Sequence, residues 1–451
     1  MSVGAILGLV GLNAWFVGVG AGVLFGLRGW VSWGELGRLL GVAYMLGVAA
    51  LGVVWTWLLV AGLDLSVAAI LLSGVVVAGT GSLAGLRAGR RLPPFPRVVA
   101  PRLSLVSALF GAAIVVYFEA LFRAGRLAGL YEFDGWSFWV PKAQAIYYFG
   151  GLDRQLFHDL PGQSYPPVVP ALEAASFHFV GAADVVTLHL QFWFLLAGFV
   201  GAVLGLLSRR VPAIFLWPPL LLVLVTPQVV DHALQPQADM LLDELFALGA
   251  LLVALWLLDG ERWMLWGGTL LLAAAMLTKR EGYVLGACLL AAALVATARR
   301  AREAWPLLLL CGLLAFAATL PWRIFIAVRD LGGGGPEAGG TGLFTNGDRA
   351  WPSLRLALSV LFDFDIWLVV MPLLLLALAV AFIGRDRLLG TFGVTLTVLC
   401  VAGFTWSTWA FPSLPVTKEA ALNPIVRFTG ALVIATAGLV PLLLAGPRRT
   451  E

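Results

Sequence analysis

The chain has 451 residues, of which 61% are hydrophobic and only 12% are charged. Soluble domains are roughly half apolar and a quarter charged, so this composition, with a mean hydropathy of +0.95, excludes a water-soluble globular protein. The net charge of +4 does not require a nucleic-acid partner, because basic residues in short loops can face anionic lipid headgroups. All three cysteines, Cys288, Cys311 and Cys400, fall in apolar runs, which excludes an extracytoplasmic disulfide and a cysteine metal cluster.

Long apolar runs predict helices, because a helical membrane span needs about 20 mostly apolar residues and a barrel strand only about ten alternating ones. We expect an all-α polytopic membrane protein of about 13 transmembrane helices. The first run has no Lys or Arg before Arg28, so it lacks the basic start of a cleaved signal peptide and should remain as a helix. The expected spans are 4–26, 39–61, 67–86, 103–122, 186–206, 212–230, 240–258, 263–277, 283–298, 305–322, 366–383, 388–406 and 428–445.

The basic residues predict the orientation of the chain, because Lys and Arg accumulate in cytoplasmic loops. With the N-terminus outside and the C-terminus in the cytoplasm, seventeen of the 29 basic residues fall in short inside connections. These are Arg28, Arg38, Arg87, Arg90, Arg91, Arg97, Arg102, Arg209, Arg210, Arg262, Arg299, Arg300, Arg302, Arg385, Arg387, Arg448 and Arg449. We therefore expect a multi-pass protein of the cytoplasmic membrane with this orientation.

The oriented chain divides unevenly. Residues 1–90 are expected to form an N-terminal three-helix membrane segment, and the Arg- and Pro-rich stretch 91–102 resembles a cytoplasmic linker to a separate bundle. Residues 103–330 hold the large outside loops. The Gly-rich run LGGGGPEAGGTG predicts a flexible outside loop over 331–365, and C-terminal membrane helices fill 366–451.

The first large outside loop contains the sequence YEFDGWSFWVPKAQAIYYFGG. Its apolar residues, among them Trp136, Trp139 and Ala143, recur at helical spacing, which predicts an amphipathic helix along the membrane surface. Tyr165 and the two prolines after it predict a turn, followed by a second short helix.

Glu132 and Asp134 stand just ahead of the first surface helix. In an extended segment residues i and i+2 point to the same side, so both carboxylates could face one ligand or one metal ion. Taken alone, Asp134 is also explained as the N-cap of that helix. Asp239 equally fits an N-cap, with Asp243 and Glu244 in the first helical turn, where the helix dipole favours acids.

Lys279 and Arg280, in the sequence LTKREG, lie on the side of the membrane where positive charge is disfavoured. Two interpretations remain open. Both side chains could be end-of-helix cations that extend to the interface, or they could bind a lipid phosphate at the height of the headgroups.

In combination these features resemble the GT-C glycosyltransferases. The features are an acidic pair after a span, two surface helices with a YPP turn, an ADM stretch, the LTKREG exit, a Gly-rich loop and Arg427 in NPIVRF. Over roughly residues 103–430 the chain is most similar to bacterial members related to the protein mannosyltransferase and aminoarabinose transferase families. Glu132-Phe133-Asp134 resembles their two-acid motif, and Arg427 resembles the arginine of their final outside loop. The three additional N-terminal helices depart from the pattern.

The resemblance implies transfer of a sugar from a polyprenyl phosphate donor to a hydroxyl on the outer face, with inversion at the anomeric carbon. The acceptor would be a cell-envelope glycan, lipid or protein. A released phosphate carries about 1.5 to 2 negative charges, so Lys279, Arg280 and Arg427 are the expected phosphate ligands. Asp134 is the expected base, with Glu132 beside it. A divalent metal, Mg²⁺ or Mn²⁺, held by this acidic pair is left open. Further candidates are Asp239, Glu281, Tyr165 and Arg349.

Two other classes of protein share this hydropathy. A transporter or lipid flippase usually places ionisable residues inside its spans, whereas the expected span interiors here are nearly free of them. A non-enzymatic assembly factor would not need acids and bases clustered on one face.

Overall fold

The computed structural model describes residues 2–94, 104–152, 157, 159–299, 301–331, 346–384, 386–410, 416 and 418–446. Over these ranges the chain forms helices and no strands, which confirms the all-α prediction. The helices are α1 (Val3–Leu27), α2 (Trp33–Arg38), α3 (Leu40–Val60), α4 (Val67–Arg87), α5 (Leu105–Gly125), α6 (Val140–Phe149), α7 (Val168–Val180), α8 (Val185–Leu207), α9 (Ala213–Leu224), α10 (Pro227–His232), α11 (Ala238–Asp259), α12 (Arg262–Thr278), α13 (Glu281–Thr297), α14 (Trp305–Ala317), α15 (Leu320–Val328), α16 (Ala350–Leu361), α17 (Phe364–Trp367), α18 (Val370–Ile383), α19 (Arg387–Ala410) and α20 (Lys418–Ala445).

Nine helical segments in the described part are long and apolar enough to cross a membrane, as in a multi-pass membrane protein. They are α1, α3, α4, α5, α8, α11, α19, the segment Arg302–Val328 and residues Ile425–Ala445 of α20. The other expected spans are shorter helices, and one of them, 212–230, is broken into α9 and α10 because Thr226 is extended ahead of Pro227. The total of thirteen spans stays a prediction.

The N-terminal helices pack directly against later parts of the bundle. Helix α3 lies against α1 on one side and against α8 and α12 on the other. The approach of α1 to α3 requires small residues, because a Cβ atom on Gly20 would lie 1.6 Å from the carbonyl oxygen of Ala43. Most of the expected linker 91–102 lies outside the described residues, so the division of the chain at this point stays a prediction.

A polar network joins three of these helices inside the bundle. The Tyr44 hydroxyl donates to Oδ1 of Asn13 at 2.6 Å, and Nδ2 of Asn13 donates to Oε1 of Gln191 at 2.9 Å. All three side chains are buried. Buried polar groups of this kind hold neighbouring membrane helices in register.

Two acids of α11 are buried deeper than the sequence predicts. Because α11 begins at Ala238, Asp243 and Glu244 are its sixth and seventh residues and lie in the second turn, so their expected place in the first turn is wrong. Both are buried, and Oε2 of Glu244 has no hydrogen-bond partner among the described residues. The expectation of span interiors nearly free of ionisable groups therefore fails at this helix.

The two short helices predicted in the first outside loop are confirmed as α6 and α7. A π-helical turn, Gly135–Trp139, precedes α6, and Pro167 is the N-cap of α7. The inward side of α6 includes Lys142, which is fully buried and donates from Nζ to the carbonyl oxygen of Gly162 at 2.6 Å. Burial lowers the pKa of Lys142 to about 7. The position of these helices at a membrane surface stays a prediction.

Candidate active site

Four separated parts of the chain meet at one end of the bundle. Asp134 precedes the π-helical turn, Asp239 lies in the first turn of α11, Lys279 follows α12, and Arg427 belongs to α20. Nη2 of Arg427 donates to Oδ2 of Asp239 at 2.7 Å and also to Oδ2 of Asp134. Nζ of Lys279 donates to Oδ1 of Asp239 at 2.8 Å. We call these four side chains the ion network.

Two members of the ion network are shielded from solvent, Arg427 and Asp134 are partly exposed, and the network is linked to a fifth charged group. The side chains of Lys279 and Asp239 are each only 4% exposed, and Oε1 of Glu281 lies 3.3 Å from Nζ of Lys279. Burial and the nearby Arg427 disfavour protonated Lys279, but Asp239 and Glu281 outweigh them and raise its pKa above the usual range. These acids stabilise Lys279 as a cation, and its side chain does not extend outward to the interface.

The turn between α12 and α13 explains why two adjacent cations face different ways. Lys279 has extended dihedral angles (φ −154°, ψ 154°), whereas Arg280 already has helical ones (φ −59°, ψ −33°). Helix α13 can turn back closely against α12 because residue 282 is a glycine, since a Cβ atom there would lie 2.5 Å from the carbonyl oxygen of Ala275. Lys279 consequently points into the bundle and Arg280 is exposed.

Arg280 lies beside the ion network and not within it. Its guanidinium carbon is 5.8 Å from the centre of the Tyr165 ring, which in turn stacks against Trp139 at 5.4 Å. Burial raises the pKa of Tyr165, Glu281 raises it further, and Lys279 acts in the opposite direction. The Tyr165 hydroxyl is therefore within electrostatic reach of the network. Lys279 and Arg427, two of the three expected phosphate ligands, both bind Asp239. The third, Arg280, instead contacts the Tyr165 ring.

The extended geometry expected for the acidic pair is wrong. Asp134 has helical dihedral angles (φ −63°, ψ −39°), and the carbonyl oxygen of Glu132 already accepts from the backbone N–H of Trp136 at 3.2 Å. The N-cap interpretation of Asp134 does not hold either, because its side chain makes no capping hydrogen bond and instead binds Arg427. Asp239 likewise binds cations, and Gln237 occupies the N-cap position of α11.

Glu132 belongs to a second group of polar residues at the edge of the site. Burial raises its pKa, as do the neighbouring carboxylates of Asp231 and Asp134. Nε2 of Gln235 donates to the Tyr131 hydroxyl at 3.0 Å. Within the described ranges, no three His, Cys, Asp or Glu side chains are arranged to hold a metal ion. Binding of Mg²⁺ or Mn²⁺ by Glu132 and Asp134 stays a prediction.

A cavity of about 30 Å³ adjoins the ion network. Asp239, Lys279 and Arg427 form part of its polar wall, and Phe404 and Phe428 form part of its apolar wall. This volume holds about one or two water molecules. A ligand larger than this can therefore reach the cations through the cavity only when surrounding side chains move.

Arg349 lies in a 3₁₀ turn ahead of α16, where its Nη2 is 3.4 Å from the carbonyl oxygen of Thr408. Ser407, the neighbour of Thr408, lines the same small cavity. The flexible loop was expected over 331–365, but α16 and part of α17 lie within its last twenty residues, so this part of the prediction is wrong. The Gly-rich run 331–342 lies outside the described residues apart from Leu331, so its mobility stays a prediction.

The sequence did not predict the central position of Asp239 in the ion network. It also gave no role in the site to Gln235, Phe404 or Phe428. Asp239 was expected to be a helix cap, yet it joins Lys279 to Arg427. The sequence did carry one signal for the pairing of Asp239 with Lys279. Both residues stand at the outer ends of expected spans, where an acid and a base can pair within a bundle. The aromatic residues carried no signal, since phenylalanine is common in membrane helices.

In comparisons with known proteins, no family model matches the chain, and no curated protein or solved structure matches it.

Proposed function

We propose that the chain is a membrane glycosyltransferase of the GT-C type, which moves a sugar from a polyprenyl phosphate to an acceptor hydroxyl on the outer face with inversion. The observation that supports this function is the ion network. Arg427 and Asp134 are separated by 293 positions and yet share a hydrogen bond, next to a second buried cation. This arrangement supplies both a carboxylate and the positive charge that a departing phosphate needs.

The donor phosphate binds at the two buried cations in this proposal. Arg427 offers a planar guanidinium that can bind two phosphate oxygens, and Lys279 offers a compact charge beside it. Asp239 holds both cations in position before the donor arrives. When a phosphate oxygen replaces Asp134 at Arg427, the Asp134 carboxylate becomes available to the acceptor.

The chemical step then balances within the site. The acceptor oxygen attacks the anomeric carbon, its proton passes to Asp134, and the bond from that carbon to the phosphate oxygen breaks with both electrons on the phosphate. Lys279 and Arg427 stabilise the charge that develops on this oxygen. The apolar wall formed by Phe404 and Phe428 suits the isoprenoid chain next to the phosphate.

Transport is the second candidate function, and Glu244 favours it. This acid is 1% exposed in the interior of α11, and ionisable residues within membrane helices often lie on ion or proton pathways. A transporter would move its lipid or solute without breaking a bond to a sugar.

The decisive experiment compares Asp134→Asn with the wild type and with Glu119→Gln, reconstituted with a labelled polyprenyl phosphate sugar. Glu119 is half exposed on α5, where it pairs with Arg123, so it controls for loss of an acidic residue outside the site. Loss of a general base predicts that transfer by Asp134→Asn falls by about 100-fold or more, with donor binding retained. Normal transfer by this variant would remove Asp134 from the mechanism.

Two further variants test the other roles. Arg427→Lys should weaken donor binding, since an ammonium group cannot bind two phosphate oxygens in the planar geometry of a guanidinium. Glu132→Gln tests the metal: a loss of transfer that high Mg²⁺ or Mn²⁺ reverses favours a metal site, and a mild effect leaves Asp134 acting alone. Movement of the lipid across a vesicle membrane without sugar transfer would favour the transporter.

A further inference from the structure

A second cavity, of about 630 Å³, lies at the opposite end of the bundle. It is bounded by the ends of α1, α8, α11 and α20 and by the start of α12. Asp239 and Asp259 are twenty residues apart on α11, so at 1.5 Å per residue this cavity lies about 30 Å from the ion network. Its volume is in the range of small-molecule sites.

Three arginines line this cavity, and two of them are already paired. Nη1 of Arg28 donates to Oε1 of Glu35 at 2.7 Å, and its guanidinium carbon lies 5.3 Å from the centre of the Trp263 ring. Nη1 of Arg210 donates to Oδ1 of Asp259 at 2.9 Å. These two pairs need no further ligand to satisfy their charges.

The third arginine, Arg38, is only partly satisfied. Its Nη1 donates to the carbonyl oxygen of Gly205, but its Nη2 is 3.7 Å from Glu35, which is too long for a hydrogen bond. Its Nε is buried and has no hydrogen-bond partner among the described residues. The Nη2 group is not among the buried atoms and makes no hydrogen bond to the described residues, so its N–H groups are the ones open to an anionic acceptor.

Arg38 lies among three other arginines, Arg28, Arg209 and Arg210, and the acids Glu35 and Asp259 pair with two of them. Burial lowers the pKa of Arg38, Arg209, Arg28 and Arg210 lower it further, and Glu35 acts in the opposite direction. Since Arg28 and Arg210 keep their acid partners, an added anion would chiefly offset the charge of Arg38.

Two other features of the cavity match a phosphate group. Helix α12 starts at its edge, and the N-cap residue Glu261 makes no side-chain capping hydrogen bond. The Met264 N–H donates to the Glu261 carbonyl oxygen, so only the first N–H groups of the helix are open to a ligand. Leucine side chains, among them Leu39, Leu255 and Leu442, form the apolar part of the wall. The cavity thus combines an anion site with an apolar surface.

We propose that this cavity binds the phosphate group of a phosphate ester, with Arg38 as its principal ligand. The ester is either the headgroup of an anionic phospholipid or a soluble phosphate ester. This site is separate from the proposed sugar transfer and does not depend on it.

The test uses the full chain in lipid discs of two compositions, pure phosphatidylcholine or phosphatidylcholine with phosphatidylglycerol. Native mass spectrometry measures the phosphatidylglycerol retained by the wild type, and thermal unfolding in pure phosphatidylcholine discs measures stabilisation by added glycerol 3-phosphate. Arg38→Gln should reduce retention or stabilisation about tenfold or more. Arg87→Gln is the matched control, because Arg87 is an exposed arginine at the end of α4 and does not line the cavity.

Each outcome decides the proposal. Retention of phosphatidylglycerol that Arg38→Gln loses and Arg87→Gln keeps identifies a lipid, and stabilisation by glycerol 3-phosphate with the same pattern identifies a soluble ester. Equal effects of the two substitutions would overturn the proposal. If Arg38→Gln fails to fold, the wild type still decides, because a protein with neither lipid retention nor stabilisation by glycerol 3-phosphate has no phosphate site here.

Discussion

The pairing of Asp239 with Lys279 allows folding and the proposed sugar transfer to be measured separately. Each side chain is 4% exposed, so removal of one partner leaves the other charge buried. Asp239→Leu leaves two cations without their shared acid and should cost about 3 to 5 kcal/mol, with Glu281 at 3.3 Å compensating Lys279 in part. Lys279→Met leaves Asp239 bound to Arg427 and should cost less. The double variant removes one charge of each sign and leaves Arg427 paired with Asp134. Apolar replacement of a whole buried pair is often neutral, so we expect the double variant to be within about 1 kcal/mol of the wild type.

The measurement is a double-mutant cycle on the free energy of unfolding in lipid bicelles, with sugar transfer assayed on the same samples. The loss in Asp239→Leu should exceed the loss in the double variant by several kcal/mol, and the loss in Lys279→Met should be smaller. The double variant should nevertheless transfer no sugar, because a phosphate ligand is gone. The exposed pair Glu119 and Arg123 is the control cycle and should show little coupling.

Two results would contradict this reasoning. Single variants as stable as the wild type would mean that Asp239 and Lys279 are not paired in a buried site. A stable double variant that transfers sugar at the normal rate would remove Lys279 from the list of phosphate ligands.

The orientation predicts that Leu127→Cys reacts with an impermeant thiol reagent in intact cells and that Val31→Cys reacts only after lysis. Both positions are 88% exposed, and the reverse pattern would invert the topology. The pKa of Lys142 is about 7 in the folded protein and about 10.5 in the unfolded chain. Between these values the unfolded state binds more protons. The free energy of unfolding should therefore rise by up to about 1.4 kcal/mol per pH unit between about pH 7.5 and 9.5. Unfolding measured across this range should show a smaller rise for Lys142→Met, and an identical slope would mean that the lysine is not buried. Gly20→Ala should destabilise the bundle by about 1 to 3 kcal/mol. Gly18→Ala is the control and should not destabilise it, because a Cβ atom there meets nothing within 4 Å. Equal thermal midpoints for the two variants would contradict the close approach of α1 and α3.

Much of the fold could be predicted because membrane helices depend on local composition. Run length and hydropathy identified α1, α3 and α8, and helical spacing identified α6. The helix breaks were harder to predict. The break between α9 and α10 lies at Thr226, the extended residue before Pro227. The prediction treated 212–230 as one span although Thr226, Pro227 and Gln228 interrupt the apolar run.

The candidate site was predicted as a set of residues, and the pairings among them were not. Charge type and side of the membrane selected Lys279 and Arg427, but Asp239 was expected to cap its own helix. Any acid near a helix start can cap its own helix. Whether Asp239 does so or pairs with a distant cation depends on the packing of α11 against α12 and α20. The helical conformation at Asp134 was missed for the same reason, since the contact with α20 is far away in sequence.

The network of Asn13, Tyr44 and Gln191 has a consequence for biosynthesis. Tyr44 follows Asn13 by 31 residues, so their hydrogen bond can form once α3 has left the ribosome, whereas Gln191 follows by 178 residues. At about 5 to 20 residues per second, the Asn13 amide waits on the order of 10 to 40 s for its partner on α8. A truncated chain that ends before α8 should therefore present a polar face to the bilayer and be recognised by membrane quality-control proteases.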